Sequence, residues 1–438
     1  MPRTIFISIL GTGYYNRTKY YWKEKDNYVE TRFIQEATLK LLKDNGTNID
    51  KAFIFLTEAA KRTNWNSPAQ TTNYFVKNGE RDTYRGLSEI LKSSGLQTVF
   101  ETEDIRDGNN ENEIWEIFDT VYNVLEEGDE VHFDITHAFR SIPMLVMVLV
   151  NYAKLLKGID VRSITYGNWE GRDAESNLAP IIDLTAFSVL QDWTNAANLF
   201  LTHGNMDALA GLTKHEITPI LKETKGKDKD ATKLRHFSDT LSAISTAFRT
   251  NNAPDIINAG MFDDLKTQIE EVNKDMIKPL SPVLKKIEDK ISDFSTTSDV
   301  TNGLKAVDFC IDSGLIQQAF TMLQESIISI ILDSENLDVK NVSYRNLVSG
   351  SFKIKKENYP FEKWNKANRE NKELTEKLLE NEALTQLAST FNALTDKRNV
   401  INHAGFNEKS STKVFKNLEK DIIELNRRVK EKLSINPE

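Results

Sequence analysis

The stretch Val131–Ser141, VHFDITHAFRS, indicates the fold of the N-terminal part of the chain. Its first six residues have the length and the β-branched and aromatic content of a buried strand. A cluster of polar residues follows, and an apolar helical pattern begins by Pro143. A strand that leads directly into a helix is the unit from which α/β sheets are built, and ligands bind at the carboxyl ends of such strands.

Similar strand-length runs lie on both sides of this stretch. They are Thr4–Leu10, Ala52–Thr57, Thr98–Glu101, Val161–Tyr166 and Pro180–Thr185, with helical patterns at Glu30–Asp44 and Asn112–Glu126. Alternation of strands and helices favours a mostly parallel sheet covered on both faces. We therefore expect a Rossmann-like α/β domain over residues 1–185.

Helical periodicity dominates the chain from Phe187 onward. We expect a helical linker or subdomain at 186–302 and an all-α domain at 303–438. The polar stretch Lys222–Lys233 reads as a solvated loop. The predicted helices of the last domain are Leu315–Leu332, Leu374–Ala388, Thr390–Asn402 and Thr412–Leu433.

The composition favours a cytoplasmic protein that does not coat nucleic acid. The 438 residues carry a net charge of −9, which argues against broad binding through phosphate neutralisation but allows a local basic groove. The chain has one cysteine, no signal peptide and no apolar run longer than Ile142–Val150, so we expect no membrane segment. We find no convincing pattern of metal ligands and expect no metal.

The cluster after Val131–Thr136 is suited to an anionic ligand. Ser141 could cap the following helix, whose first N–H groups attract anions, and Arg140 adds a planar cation. Thr136 and His137 add hydrogen-bonding groups, although the same residues could simply cap a turn.

Two further segments follow strands and belong to the same predicted edge. Gly11-Thr12-Gly13 lacks the third glycine of a dinucleotide fingerprint, yet its glycines permit a close approach to a ligand. The same segment fits an ordinary tight turn equally well. Asn168 follows a later strand and is our third candidate at this edge.

A second site is predicted near the end of the Thr390–Asn402 helix. Arg398 and His403 are five residues apart, with Asn399 between them and Gly405 as a plausible helix cap. Histidine can move protons near neutral pH and arginine can stabilise charge on a phosphate, which is enough for RNA cleavage without metal. On their own these residues fit a surface arginine and a C-terminal helix histidine slightly better.

Taken together, the two ends of the chain resemble a known family. The α/β domain with Gly-Thr-Gly after its first strand and Asp134-x-Thr136-His137-x-x-Arg140 resembles a CARF sensor domain. The helical domain with Arg398-Asn399-x-x-x-His403 resembles a HEPN ribonuclease. The combination is similar to the CARF–HEPN ribonucleases of type III CRISPR systems, which act in antiviral defence.

This resemblance implies a homodimer that binds a cyclic oligoadenylate as its allosteric activator, without any other cofactor. It implies metal-independent cleavage of single-stranded RNA, with Arg398, Asn399 and His403 as the catalytic residues. The activator would contact these residues: Gly11, Thr12, Gly13, Thr136, His137, Arg140, Ser141 and Asn168.

Two alternatives remain open from the sequence. One is a nucleotide-sensing regulator with a non-enzymatic helical effector module that binds DNA or protein. The other is a small-molecule enzyme whose chemistry lies in the α/β domain and whose helical part is structural.

Overall fold

The computed structural model describes residues 2–66, 75–77, 80–82, 85–137, 142–272, 277–406 and 412–434. The chain divides into two compact units, Met1–Gln191 and Asp192–Glu438. Arg140 and Ser141, two of the predicted ligand contacts, lie outside the described residues.

The N-terminal unit is built on one large sheet. Its strands and those of a small separate hairpin are β1 Thr4–Leu10, β2 Thr18–Tyr21, β3 Tyr28–Thr31, β4 Lys51–Leu56, β5 Phe75–Lys77, β6 Glu80–Asp82, β7 Val99–Asp104, β8 Glu130–Asp134, β9 Asp160–Gly167 and β10 Leu178–Asp183. The sheet order is β3-β2-β10-β9-β8-β1-β4-β7, and β5 pairs only with β6. The five strands from β9 to β7 in this order are parallel, while β10 runs antiparallel to β9. The predicted mostly parallel α/β sheet is confirmed.

Helices cover both faces of this sheet. The helices of the unit are α1 Ile34–Asp44, α2 Glu58–Ala60, α3 Leu87–Ser93, α4 Glu111–Val124 and α5 Ile142–Lys157, with a π-helical turn at Lys61–Trp65. Side chains alternate along β1, so that Ile7 packs with α4 and α5 whereas Phe6 packs with α1 and α3. This alternation of apolar residues on both faces is the reason that the central strands are continuously hydrophobic.

The sequence reading missed the hairpin of β2 and β3. The predicted helix Glu30–Asp44 begins only at Ile34, because Tyr28–Thr31 pairs with β2. The remaining predicted strands and helices of this unit are present with their ends displaced by a few residues.

The described residues of the C-terminal unit form helices and connecting turns and no strand. Its helices are α6 Thr185–His203 (which begins before the unit boundary), α7 Asp207–Glu223, α8 Lys229–Arg249, α9 Ala253–Asn258, α10 Gly260–Glu271, α11 Leu280–Ile291, α12 Asn302–Asp312, α13 Ile316–Ser334, α14 Val342–Glu357, α15 Lys366–Glu370, α16 Lys372–Glu380, α17 Glu382–Asn402 and α18 Thr412–Lys432. Cys310 is fully buried in α12.

Two sequence-based boundaries in this unit were wrong. The predicted loop Lys222–Lys233 is confined to residues 224–228, because Asp228 caps α8 by accepting the N–H of Ala231 at 2.8 Å. The predicted break near residue 389 does not exist. The chain breaks instead at Asn381, whose side chain accepts the N–H of Leu384 at 3.0 Å and starts α17.

Candidate functional site

The carboxyl end of β8 is anchored by the buried carboxylate of Asp134. It accepts the hydroxyl of Ser8 on β1 at 2.7 Å and, through its other oxygen, the hydroxyl of Thr136. Gln35 of α1 donates to Ser8 at 3.0 Å. Burial raises the pKa of Asp134, while the bonds from Thr136 and Ser8 oppose that rise. This network fixes the strand ends at which the sequence places a ligand.

Thr136 connects two strand ends. Its hydroxyl oxygen accepts the N–H of Gly167, the last residue of β9, at 2.8 Å. The hydroxyl thus has both a donor and an acceptor contact within the protein. The structure thus places Thr136, a predicted ligand contact, at the expected edge of the sheet, where its hydroxyl links two strand ends.

The Gly11–Gly13 loop is held from behind by Asn64. The amide nitrogen of Asn64, which is fully buried, donates to the carbonyl of Gly11 at 2.7 Å and to that of Gly13 at 2.9 Å. Arg32 donates to the carbonyl of Tyr15 at 2.7 Å. Thr12 and Gly13 are exposed, so this loop presents its outer surface to solvent.

His137 lies against the same loop. Its ring stacks on Tyr15, with centroids 4.3 Å apart, and burial lowers its pKa to about 4. The imidazole is therefore neutral at neutral pH, and its Nε2 is buried without a hydrogen-bond partner in the described chain. A methyl group on Gly11 would stand 2.4 Å from the Tyr15 hydroxyl and 3.1 Å from Cβ of His137. A side chain at position 11 would therefore disturb this stacked arrangement.

Asn168 follows β9 as expected, but its side chain is used locally. Its Oδ1 accepts the N–H of Gly171 at 3.0 Å, which closes a turn. Its backbone N–H donates to Pro180 at 2.9 Å. Thr136, His137 and the Gly11–Gly13 loop are therefore brought together, whereas Asn168 is committed to its own turn.

The second candidate site is the C-terminal end of α17. The helix ends at Asn402, with His403 as an exposed C-terminal cap residue. Gly405 has a φ of +79° and donates its N–H to Val400 at 3.0 Å, which closes the helix as the sequence predicts. Five helical positions correspond to about 140° around the axis, so Arg398 and His403 of one chain do not face each other.

Arg398 differs from its cationic neighbour Lys397. The ammonium of Lys397 forms an ion pair with Asp421 of α18. Arg398 is half-buried, makes no ion pair within the described ranges, and its buried Nε lacks an acceptor there. Its Nη1 lies 3.4 Å from Oδ1 of Asn399. A guanidinium without an ion-pair partner in the described ranges is chemically suited to bind a phosphate.

Neither a cluster of metal ligands nor a membrane-spanning helix is found among the described residues. Among them, no three histidine, cysteine, aspartate or glutamate side chains are grouped closely enough to hold a metal ion. No helix within the described ranges is sufficiently long and apolar to span a bilayer.

Sequence reasoning missed two residues that build the first site. Asn64 belongs to no recognisable motif, and its position depends on a π-helical turn that no local pattern announces. Tyr15 is the other, and its ring stacks on His137. Only the proximity of the ends of β1 and β4, which are neighbouring parallel strands, would have pointed to Asn64.

Comparison with known proteins locates two family matches. Residues 5–169 match the family model described as CRISPR system endoribonuclease Csx1, CARF domain. Residues 189–299 match that described as CRISPR-associated protein MJ1674, second domain. The resemblance to a CARF domain drawn from the N-terminal motifs is thereby confirmed.

One relative and one solved structure complete the comparison. A segment of 122 residues is 32% identical to CRISPR-associated protein MJ1674 of Methanocaldococcus jannaschii. The match covers 27% of this chain and 19% of that protein. Enterococcus italicus Csm6 bound to cyclic hexa-2'-fluoro-hexa-dAMP is similar over 98% of this chain and 95% of its own, with 12% identity and a TM-score of 0.42.

Proposed function

We propose that this chain, a CRISPR-associated CARF-domain protein, is an endoribonuclease that a cyclic oligoadenylate activates. Its substrate is single-stranded RNA in the cytoplasm, cleaved without metal by attack of a 2′-hydroxyl on the neighbouring phosphate. The observation that carries the proposal is Arg398, a half-buried guanidinium with an unsatisfied Nε and no ion-pair partner in the described chain, on the helix that ends beside His403.

The sensor function rests on the strand-end edge of the N-terminal unit. The exposed Gly11–Gly13 loop lies beside His137, and Thr136 ties the neighbouring strand ends together. Arg140, next in this predicted set, supplies a cation for a phosphate of the activator. The CARF match over residues 5–169 supports a nucleotide ligand at this edge.

The nuclease function needs only a proton-transfer group and a cation. His403 is exposed and suited to move a proton, and Arg398 is suited to stabilise the charged phosphate. Asn399, within 3.4 Å of Arg398, orients the guanidinium. Because Arg398 and His403 of one chain do not face each other, we propose that two chains contribute both residues to one groove.

An apolar stripe on α5 supports the dimer. Met144, Val148, Tyr152 and Leu155 recur at helical spacing, and their side chains are 76%, 62%, 45% and 80% exposed. Exposed apolar residues gathered on one helix face mark a protein-binding surface. A two-fold contact through this stripe would let a symmetric ligand change how the two protomers sit.

The decisive experiment is cleavage of labelled single-stranded RNA with and without a panel of cyclic oligoadenylates, in buffer containing chelator. We expect activity only with an activator, and products that end in 2′,3′-cyclic phosphate or 3′-phosphate. Arg140→Ala should weaken activator binding, with much of the rate restored at saturating activator. Activator binding without any RNA cleavage would favour the non-enzymatic regulator instead.

A further inference from the structure

Asn64 controls the direction of the peptide groups in the Gly11–Gly13 loop. It lies in the π-helical turn Lys61–Trp65 that follows β4, and it is fully buried. One side-chain nitrogen donates both of its hydrogens, to the carbonyls of Gly11 at 2.7 Å and Gly13 at 2.9 Å. A buried amide that spans two carbonyls of one exposed loop fixes two peptide planes at once.

The consequence follows from the geometry of the trans peptide. The carbonyl of one residue and the N–H of the next lie in the same peptide plane and point in opposite directions. Since the carbonyls of Gly11 and Gly13 point inward to Asn64, the N–H groups of Thr12 and Tyr14 point away from it. Thr12 is exposed, and its N–H has no partner among the described residues. Outward N–H groups in a glycine-rich loop form an anion-binding surface.

We infer that Asn64 is a positioning residue for the activator site: by holding the carbonyl of Gly11, it orients the N–H of Thr12 toward a phosphodiester of the bound nucleotide. This inference rests on the proposed function. The chemistry recognised is an anionic phosphate oxygen rather than a base, since backbone N–H groups donate to anions. The loop would therefore contact the sugar–phosphate backbone of the nucleotide ligand.

The test compares Asn64→Asp with a control in the same turn. The aspartate has nearly the same shape but supplies no hydrogens to the two carbonyls, and it repels them. Arg62→Ala changes an exposed side chain of the turn that lies 3.9 Å from Glu58. Calorimetry with cyclic tetraadenylate and cyclic hexaadenylate should show about a tenfold to hundredfold loss of affinity in Asn64→Asp. The Arg62→Ala variant should bind as the parent does.

A second arm separates orientation from mere loss of structure. Replacing non-bridging phosphate oxygens of the cyclic oligoadenylate by sulfur should lower its affinity for the parent protein. The same replacement should not lower its affinity for Asn64→Asp. An equal penalty in both proteins would overturn the inference.

A third arm does not depend on the variant. In parent protein carrying ¹⁵N-threonine, the amide proton of Thr12 should move downfield when the cyclic oligoadenylate binds. Binding without this shift would refute the proposed role of Asn64 but would leave the proposed function of the protein standing. A parent protein that binds neither cyclic oligoadenylate would refute the proposed function itself.

Discussion

The hydroxyl oxygen of Thr136 accepts the N–H of Gly167 at 2.8 Å while its hydrogen is donated to Asp134, so that one side chain joins the ends of β8 and β9. Both partners are fixed parts of the sheet. This hydroxyl therefore contributes to the shape of the proposed activator edge.

Thr136→Val should destabilise this edge. Valine keeps the shape but leaves the Gly167 N–H unsatisfied and removes one donor from the buried Asp134. We expect the free energy of unfolding to fall by about 1–3 kcal/mol, and activator affinity to fall with it. Chemical denaturation and calorimetry measure the two effects. Thr202→Val, on the exposed side of α6, is the control, and a Thr136→Val protein as stable as this control would contradict the prediction.

Arg398→Ala and His403→Ala should each abolish RNA cleavage while activator binding persists. Loss of an oriented charge donor costs a reaction roughly a hundredfold to a thousandfold in rate. Single-turnover cleavage with saturating activator measures the rate, and thermal unfolding verifies the fold. The matched control is His215→Ala, an exposed histidine of α7. A folded His403→Ala protein with normal turnover would remove His403 from the mechanism.

The N-terminal unit should lose stability as the pH falls below about 6.5. His132 is 5% exposed and its Nδ1 lies 2.7 Å from the Ser163 hydroxyl. Burial, with a smaller effect from Arg162, lowers its pKa to about 4. The unfolded chain binds a proton at pH values where the folded chain does not, so stability decreases from pH 6.5 down to about 4. The whole effect is up to about 3 kcal/mol.

His132→Gln should flatten this part of the pH profile, because glutamine does not titrate. Denaturant unfolding at a series of pH values measures the slope for both proteins. An unchanged slope in His132→Gln would show that another group causes the acid sensitivity. His137, whose pKa burial also lowers to about 4, contributes in the same direction and leaves a residual slope.

Val148→Glu should disrupt the proposed dimer without unfolding the chain. The residue is exposed in the single chain but would be buried in a two-fold contact, where an unpaired carboxylate is costly. Analytical ultracentrifugation should show a shift toward monomer, and RNA cleavage should fall in parallel. Gln97→Glu places the same charge on an exposed loop and should remain dimeric. Identical sedimentation of the two variants would exclude this stripe from the interface.

The sheet could be predicted well because each central strand is continuously apolar. Ile7 and Phe6 face opposite helical layers, and this double burial is directly visible as an uninterrupted hydrophobic run. The β2–β3 hairpin escaped because its strands have four residues each and are joined by the charged segment Trp22–Asn27, which resembles a loop. The formation of such short strands depends on hydrogen bonding to neighbouring strands more than on their own hydrophobic pattern.

The candidate sites were predictable in location but only partly in detail. The position of Thr136 and His137 after β8 follows from strand-end topology. What could not be derived is the direction of each side chain, such as the local hydrogen bond of Asn168 to Gly171. Asn64 is hidden for the same reason, since a π-helical turn and two long-range hydrogen bonds decide its role.

Cys310 provides an internal probe of local opening in the helical unit. It is the chain's sole cysteine, it is fully buried in α12, and burial raises the pKa of its thiol to about 12. A thiol reagent can modify it only when the surrounding helices separate. The labelling rate therefore reports how often this unit opens, much as amide exchange does. Because no other thiol competes, the labelling rate of Cys310 can be measured with and without the activator. A change in this rate would show that adding the activator alters how often the helical unit opens.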